Sequence, residues 1–284
     1  MTLYKLAGHD ELVAPSMIVA LDGWVDAGSA ATTAAATLAE GGRVLATFDA
    51  DAIFDYRARR PTLEIVDGRP ESLAWPELTL RSTRVSERDL LVLTGAEPDY
   101  RWHELSADVA DLAGQLGVAE WISLGAIPAA VPHTRPVPIL GTASEPGLLR
   151  GGVQPGPQGT LTVPAAAISV LDIAMTKAGI PTVGYFAQIP HYISGPYPGA
   201  SIELLLVLGR HLGLELDTGH LPEEARLMRV RLDAAAAREE TTRTYVERLE
   251  AMVDEARLPS GDDLITEIER FLRDGGNQGG TRPN

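Results

Sequence analysis

Two histidines in stiff loops are the first residues of this chain that invite a chemical reading. His133 lies in Ile127-Pro128-Ala129-Ala130-Val131-Pro132-His133-Thr134-Arg135-Pro136, where three prolines hold it and Arg135 in place. His191 opens His191-Tyr192-Ile193-Ser194-Gly195-Pro196-Tyr197-Pro198. An imidazole titrates near neutral pH, so either ring suits proton transfer, and either equally suits a structural hydrogen bond. Asp26, in Gly23-Trp24-Val25-Asp26-Ala27-Gly28-Ser29-Ala30, is a general base or the cap of the helix that follows. Amides at that helix start are an alternative seat for an anion. Ser29 and Ser194 carry the hydroxyl of a nucleophile, but sequence supplies no geometry for a triad. The two histidines with Asp26 or Glu97 match no short metal motif, and neither a metal nor a cofactor is expected.

Two further loops concentrate charge and aromatic rings. In 48–61, Arg57, Arg59 and Arg60 follow Asp49, Asp51 and Asp55. Such a cluster either pairs internally at an interface or recognises a carboxylate or phosphate. In Glu97-Pro98-Asp99-Tyr100-Arg101-Trp102-His103, mixed charge beside Tyr100 and Trp102 suits a ligand wall or a subunit contact alike. Arg101 and Arg135 are the candidate anion binders of an enzyme. The P-loop, the dinucleotide glycine fingerprint, HExxH and GxSxG are all absent, and Lys5 and Lys177 are the only lysines.

These loops need a scaffold, and the pattern between them supplies one. Apolar runs at 17–21, 44–48, 90–94, 121–126 and 182–188 read as buried strands. Helical patterns at 30–40, 104–116, 165–178 and 201–212 alternate with them. Segments 62–66 and 78–84 read as an antiparallel pair around Asp67-Gly68. Alternation of this kind predicts an α/β protein with a mixed sheet covered on both faces. In such folds function collects in loops beyond the strand C-termini, which is where all five unusual loops fall.

Composition narrows the classes. The chain has 284 residues and a formal net charge of −15, which argues against nucleic-acid binding. Without cysteine there is no disulfide, thiolate metal site or cysteine nucleophile. No apolar run is long enough to span a bilayer, and the N-terminus lacks a signal-peptide pattern, so a soluble cytoplasmic protein is expected.

Composition shifts near residue 217. After Pro222 no Gly or Pro occurs up to Ala256, and apolar or small residues recur at 4-3 spacing with an interruption at 238–244. One long helix, or two with a break there, is expected, with a last helix over 262–272. The organisation is then a 1–216 core, a 217–273 helical extension and a 274–284 disordered tail. The extension packs on its own core or makes an oligomer or partner contact.

Taken in order, GWVDAG (23–28), FDADAIFDYRARRP (48–61), EPDYRW (97–102), PHTRP (132–136) and HYISGPYP (191–198) make the chain resemble the bacterial branch of the proteasome-assembly-chaperone family. The resemblance covers about residues 1–215. It implies a three-layer α/β/α domain with a mixed central sheet, similar to the phosphorylase/hydrolase-like fold, and homo-oligomers. It implies proteasome core subunits as partners. Several such chaperones dock through a C-terminal tail of a hydrophobic residue, a tyrosine and any residue. Here the last residues are Thr281-Arg282-Pro283-Asn284, so that docking mode is not expected. Two functions follow. One is a non-catalytic oligomeric assembly factor, with Asp55, Arg57, Arg59, Arg60 and the 97–102 segment in contacts. The other is an enzyme on the same scaffold, or an ATP-dependent carboligase, whose strand-end loops form one anion pocket.

Overall fold

The computed structural model describes residues 2–8, 11–153, 155, 156 and 159–256. Strand β1 (Tyr4–Leu6) precedes β2 (Ser16–Leu21), whose six residues are all buried. A 3-10 turn (Ala27–Ser29) leads into α1 (Ala30–Leu38), followed by β3 (Arg43–Phe48) and the single turn α2 (Ala50–Ile53). Next come β4 (Thr62–Val66), β5 (Arg69–Ala74), β6 (Leu78–Val85), β7 (Arg88–Gly95) and α3 (Trp102–Gln115). Then follow β8 (Glu120–Ala129), β9 (Ile139–Ala143), α4 (Ala167–Lys177), β10 (Thr182–Pro190) and α5 (Pro198–Leu212). Helices α6 (Leu221–Arg238) and α7 (Glu240–Ala256) complete the described chain.

Eight strands form one mixed sheet in the order β1-β3-β6-β7-β2-β8-β10-β9. The central four, β7, β2, β8 and β10, are mutually parallel. Strand β6 is antiparallel to both β7 and β3, so β3 points the same way as the central four. The C-terminal ends of β2, β3, β7, β8 and β10 therefore share one edge, and all five unusual loops leave from it.

Alternate residues of a strand face opposite sides of the sheet. In β2, Met17, Val19 and Leu21 join Trp121, Leu91 and Leu93 under α3 and α4. Ile18 and Ala20 face the other way and join Leu90, Val92, Leu124 and Tyr185 under α1 and α5. Helix α1 lays Ala30, Ala31, Ala34 and Ala35 on the sheet, and their small side chains let its backbone approach closely. The result is three layers, α/β/α, as expected.

One expected pairing is corrected. Strand β4 does not pair with residues 78–84. It pairs with β5, as a separate two-stranded hairpin. Asp67 and Gly68 have φ of +50° and +76°, the all-positive geometry of a two-residue hairpin turn, which makes Arg69 the partner of Val66. The expected helical break falls at Glu239, which is extended (φ −125°, ψ 117°) between α6 and α7. The expected helix over 262–272 and the tail over 274–284 lie outside the described residues.

Candidate functional site

The shared edge divides into two halves with different fates. The loops after β8 and β10 lie under the C-terminal helices. His133 is almost fully buried. Its Nδ1 accepts from the Tyr192 hydroxyl at 2.7 Å, and its Nε2 donates to Asp233 of α6 at 3.2 Å. The same hydroxyl accepts the His133 backbone N–H at 2.8 Å, and Arg229 of α6 donates to the His133 carbonyl at 3.1 Å. Burial pushes the His133 pKa below the ordinary imidazole value, so the ring is neutral at pH 7. His191 donates from Nδ1 to the Ala129 carbonyl at 3.0 Å and accepts the Tyr245 hydroxyl of α7 on Nε2 at 3.2 Å. The rings of His191, Tyr192 and Tyr245 meet edge to face, with centroids 5.7–6.2 Å apart. Arg135 is forked onto Asp254 at 2.6 and 3.0 Å and reaches Glu250 at 3.3 Å. Thr134 also bonds Glu250. Both ring nitrogens of each histidine are therefore engaged with groups other than Ser29 and Ser194. The arrangement anchors α6 and α7.

Asp26 is the helix cap. One carboxylate oxygen accepts the Ala31 and Thr32 amides at 2.7 and 3.3 Å, and the other accepts the Thr32 hydroxyl. Burial pushes its pKa up, against the lowering effect of these bonds. The amides that could have held an anion are thus filled by the chain's own carboxylate. Gly28 next to it has φ +64°, and a Cβ there would fall 2.9 Å from Tyr197 Cβ, so this loop closes against the loop after β10. Ser29 is left-handed (φ +49°) and lines the neighbouring cleft.

The other half is open. Arg59 donates to Asp22 at 2.8 Å and to the Glu97 carbonyl at 3.4 Å, while its Nε is buried without a partner. Asp22 also accepts the Glu97 amide at 2.9 Å. The Glu97 carboxylate accepts the Ala167 amide at the start of α4 at 2.7 Å and the Trp24 amide at 3.5 Å. Asp55 accepts the Arg57 amide and the Tyr100 hydroxyl at 2.9 and 3.1 Å, which holds its pKa below the ordinary carboxylate value. Arg101 pairs with Glu104, and the Trp102 indole donates to the Pro98 carbonyl at 2.6 Å. Trp24 and Tyr100 stand exposed on the rim.

Beside this network runs a cleft of about 770 Å3. It is lined by Thr79, Arg81 and Thr94 of the sheet, by Thr32 and Ala36 of α1, and by Thr62, Ala74 and Trp75 at the base of the hairpin. Arg60 lines it with no ion pair among the described residues. So the structure joins Trp24, Glu97, Arg59 and Arg60 in one half, and His133, Arg135, His191 and Tyr192 in the other. Asp22, Asp233, Tyr245, Glu250 and Asp254 were not singled out from sequence. Their partners lie 37 to 119 residues away, and no local spacing encodes such contacts. Among the described residues, no group of three or more His, Cys, Asp or Glu is placed to hold a metal ion, and no helix is long and apolar enough to cross a membrane.

The model of the PAC2 family matches residues 20–236. The chain belongs to the PAC2 family. Among solved structures it is similar to Mycobacterium tuberculosis Rv2714, a protein of unknown function, at 32% identity and TM-score 0.83, covering 89% of this chain and 91% of the other. It is also similar to the M. tuberculosis proteasome-assembly chaperone homologue Rv2125, at 33% identity and TM-score 0.73, covering 81% and 99%. The Pyrococcus furiosus archaeal proteasome activator PbaB shares the fold at 18% identity and TM-score 0.61, covering 82% and 97%. No curated protein matches. The PAC2 match takes in all five loops and most of α6, and it ends before α7, which carries Tyr245, Glu250 and Asp254.

Proposed function

We propose that this PAC2 chain is a non-catalytic, oligomeric, cytoplasmic protein-binding factor that assists assembly of a proteasome core particle. One observation carries the reading: the residues suited to proton transfer are committed to packing. His133 and His191 hold α6 and α7, and Asp26 caps α1. The likeness to Rv2125, described as a proteasome-assembly chaperone homologue, supports the client. The contact surface in this reading is the open rim, where Trp24, Tyr100, Arg57 and Arg60 combine exposed aromatic area with charge. It needs no tyrosine-bearing tail.

The test is capture of isolated proteasome α-subunits by the purified chain, read by native mass spectrometry. A stoichiometric complex is expected, weakened about tenfold or more by Trp24→Ala with Tyr100→Ala. Absence of any complex would overturn the reading.

A second reading, an enzyme or ATP-dependent carboligase, is favoured by the Arg59–Arg60 cleft, whose volume suits a small ligand. In it, an anionic substrate sits against Arg60. Thermal stabilisation by a nucleotide or phosphate, lost in Arg60→Ala, supports it; a flat response across a nucleotide and phosphate panel removes it.

A further inference from the structure

A pocket of about 330 Å3 lies between α4 and the β9 edge of the sheet. Asp172, Ile173 and Lys177 line it from α4, and Thr142, Ala143 and Thr182 line it from the sheet. Thr182 is the first residue of β10, so the pocket is at the opposite end of the sheet from the unusual loops. The Asp172 carboxylate accepts from two neutral donors, the Trp121 indole at 2.7 Å and the Ser123 hydroxyl at 3.2 Å. Neither Asp172 nor Lys177 has an ion-pair partner among the described residues. A buried carboxylate is ordinarily paired or neutralised. Burial without a cation pushes the Asp172 pKa up to about 7.

One unpaired acid and one unpaired base therefore share a pocket without bridging each other. A ligand with a single charge leaves a conflict there. A simple amine meets Lys177, and a simple carboxylate or phosphate meets Asp172. A zwitterion satisfies both. Lys177 follows Asp172 by five residues, about 7.5 Å along the helix axis. An α-amino acid carries its ammonium and carboxylate about 3 Å apart, and a charge-assisted bond of about 2.8 Å at each end extends its reach to that separation. We propose that this pocket binds a free α-amino acid, its ammonium on Asp172 and its carboxylate on Lys177.

The surroundings fit such a ligand. An ammonium group has three donors, and one carboxylate oxygen takes only one of them. Hydroxyls beside Asp172 supply further acceptors. A Cβ at Gly184 would fall 2.6 Å from Thr142 Oγ1 and 2.8 Å from Ser123 Oγ, so these two hydroxyls converge over bare backbone. Ala143 and Ile173 add apolar surface, which selects a small apolar side chain on the ligand. The volume is at the lower end of ligand pockets, about 300–1,000 Å3, and holds an amino acid and not a nucleotide. No lining residue belongs to the five loops or to the cleft beside Arg60, so the site is separate from both.

The test uses the full chain and reads the Trp121 indole, which is bonded to Asp172. Protein labelled with fluorotryptophan gives one fluorine resonance for each of Trp24, Trp75, Trp102 and Trp121, assigned through Trp24→Phe, Trp75→Phe and Trp102→Phe. The probes are L-alanine, L-valine and L-leucine. At least one is expected to move the Trp121 resonance saturably while those of Trp24 and Trp75 stay fixed. Asp172→Asn keeps an acceptor for the indole and should weaken that binding about tenfold or more, with its thermal midpoint no lower than that of the natural chain. Lys177→Ala should weaken it severalfold. The deaminated acid and the amide of the tightest probe, each lacking one of the two charges, should bind about tenfold more weakly than the amino acid. A Trp121 resonance that stays fixed with all three amino acids overturns the proposal. So does an amide or deaminated acid that binds as well as the amino acid, or an unchanged affinity in Lys177→Ala, which leaves Lys177 as a cation at the end of α4 and nothing more.

Discussion

Removing a single hydroxyl group tests whether the strand-end histidines are anchors. The Tyr192 hydroxyl accepts the His133 backbone N–H at 2.8 Å and donates to His133 Nδ1 at 2.7 Å, beneath α6. Tyr192→Phe keeps the ring contacts with His133, His191 and Tyr245 and deletes both bonds. It leaves a buried donor and a buried acceptor unpaired, at a cost of about 2 kcal/mol. If α6 and α7 open as one unit, that cost is about a thirtyfold rise in their opening equilibrium. Native-state hydrogen exchange reads it directly: amides of both helices should exchange about thirtyfold faster, with β2 amides little changed. Unchanged protection of α6 and α7 would refute the anchoring role and return His133 to the pool of free catalytic groups.

Other predictions concern buried carboxylates and caps. Glu120 accepts from His211 at 3.1 Å, and also from Ser16 at 2.6 Å, which pulls its pKa down to about 2. Its contribution is full above pH about 4.5 and is lost as pH falls towards 2; Glu120→Gln should flatten that part of a urea-stability profile. Asp172, bonded to the Trp121 indole at 2.7 Å, is pushed by burial up to about 7. The native state then holds a proton that the unfolded state releases near 3.8, so stability falls as pH rises between these values; Asp172→Asn should remove that decline and be the more stable form at alkaline pH. Glu97→Ala should uncap α4 at Ala167 and lower the midpoint of thermal unfolding by a few degrees, about 1 kcal/mol. An unchanged midpoint would show that water caps the helix as well.

Much of the core was legible because its signals are local. The continuous run in β2 could only be a strand buried on both faces, and Gly41 and Gly117 mark where α1 and α3 stop. The shared edge followed from strand–helix alternation. The hairpin partner was misread although the turn was seen. A two-residue turn at Asp67-Gly68 fixes the return strand at Arg69, but Arg69-Pro70-Glu71-Ser72 is polar, and Pro70 argues against a strand. Tertiary pairing overrode that weak propensity. Strands β1 and β9 were missed because three- and five-residue edge strands leave little periodicity. The split of the loops was not legible, since Asp233 and Tyr245 meet His133 and His191 from 100 and 54 residues away.

The assembly role is tested most directly by the rate at which core particles form from separate proteasome α- and β-subunits, followed on native gels with and without this chain. The account predicts that equimolar chain speeds formation, passing through an intermediate that holds α-subunits and the chain together, and that Trp24→Ala/Tyr100→Ala abolishes the effect. An unchanged rate with no such intermediate would contradict it.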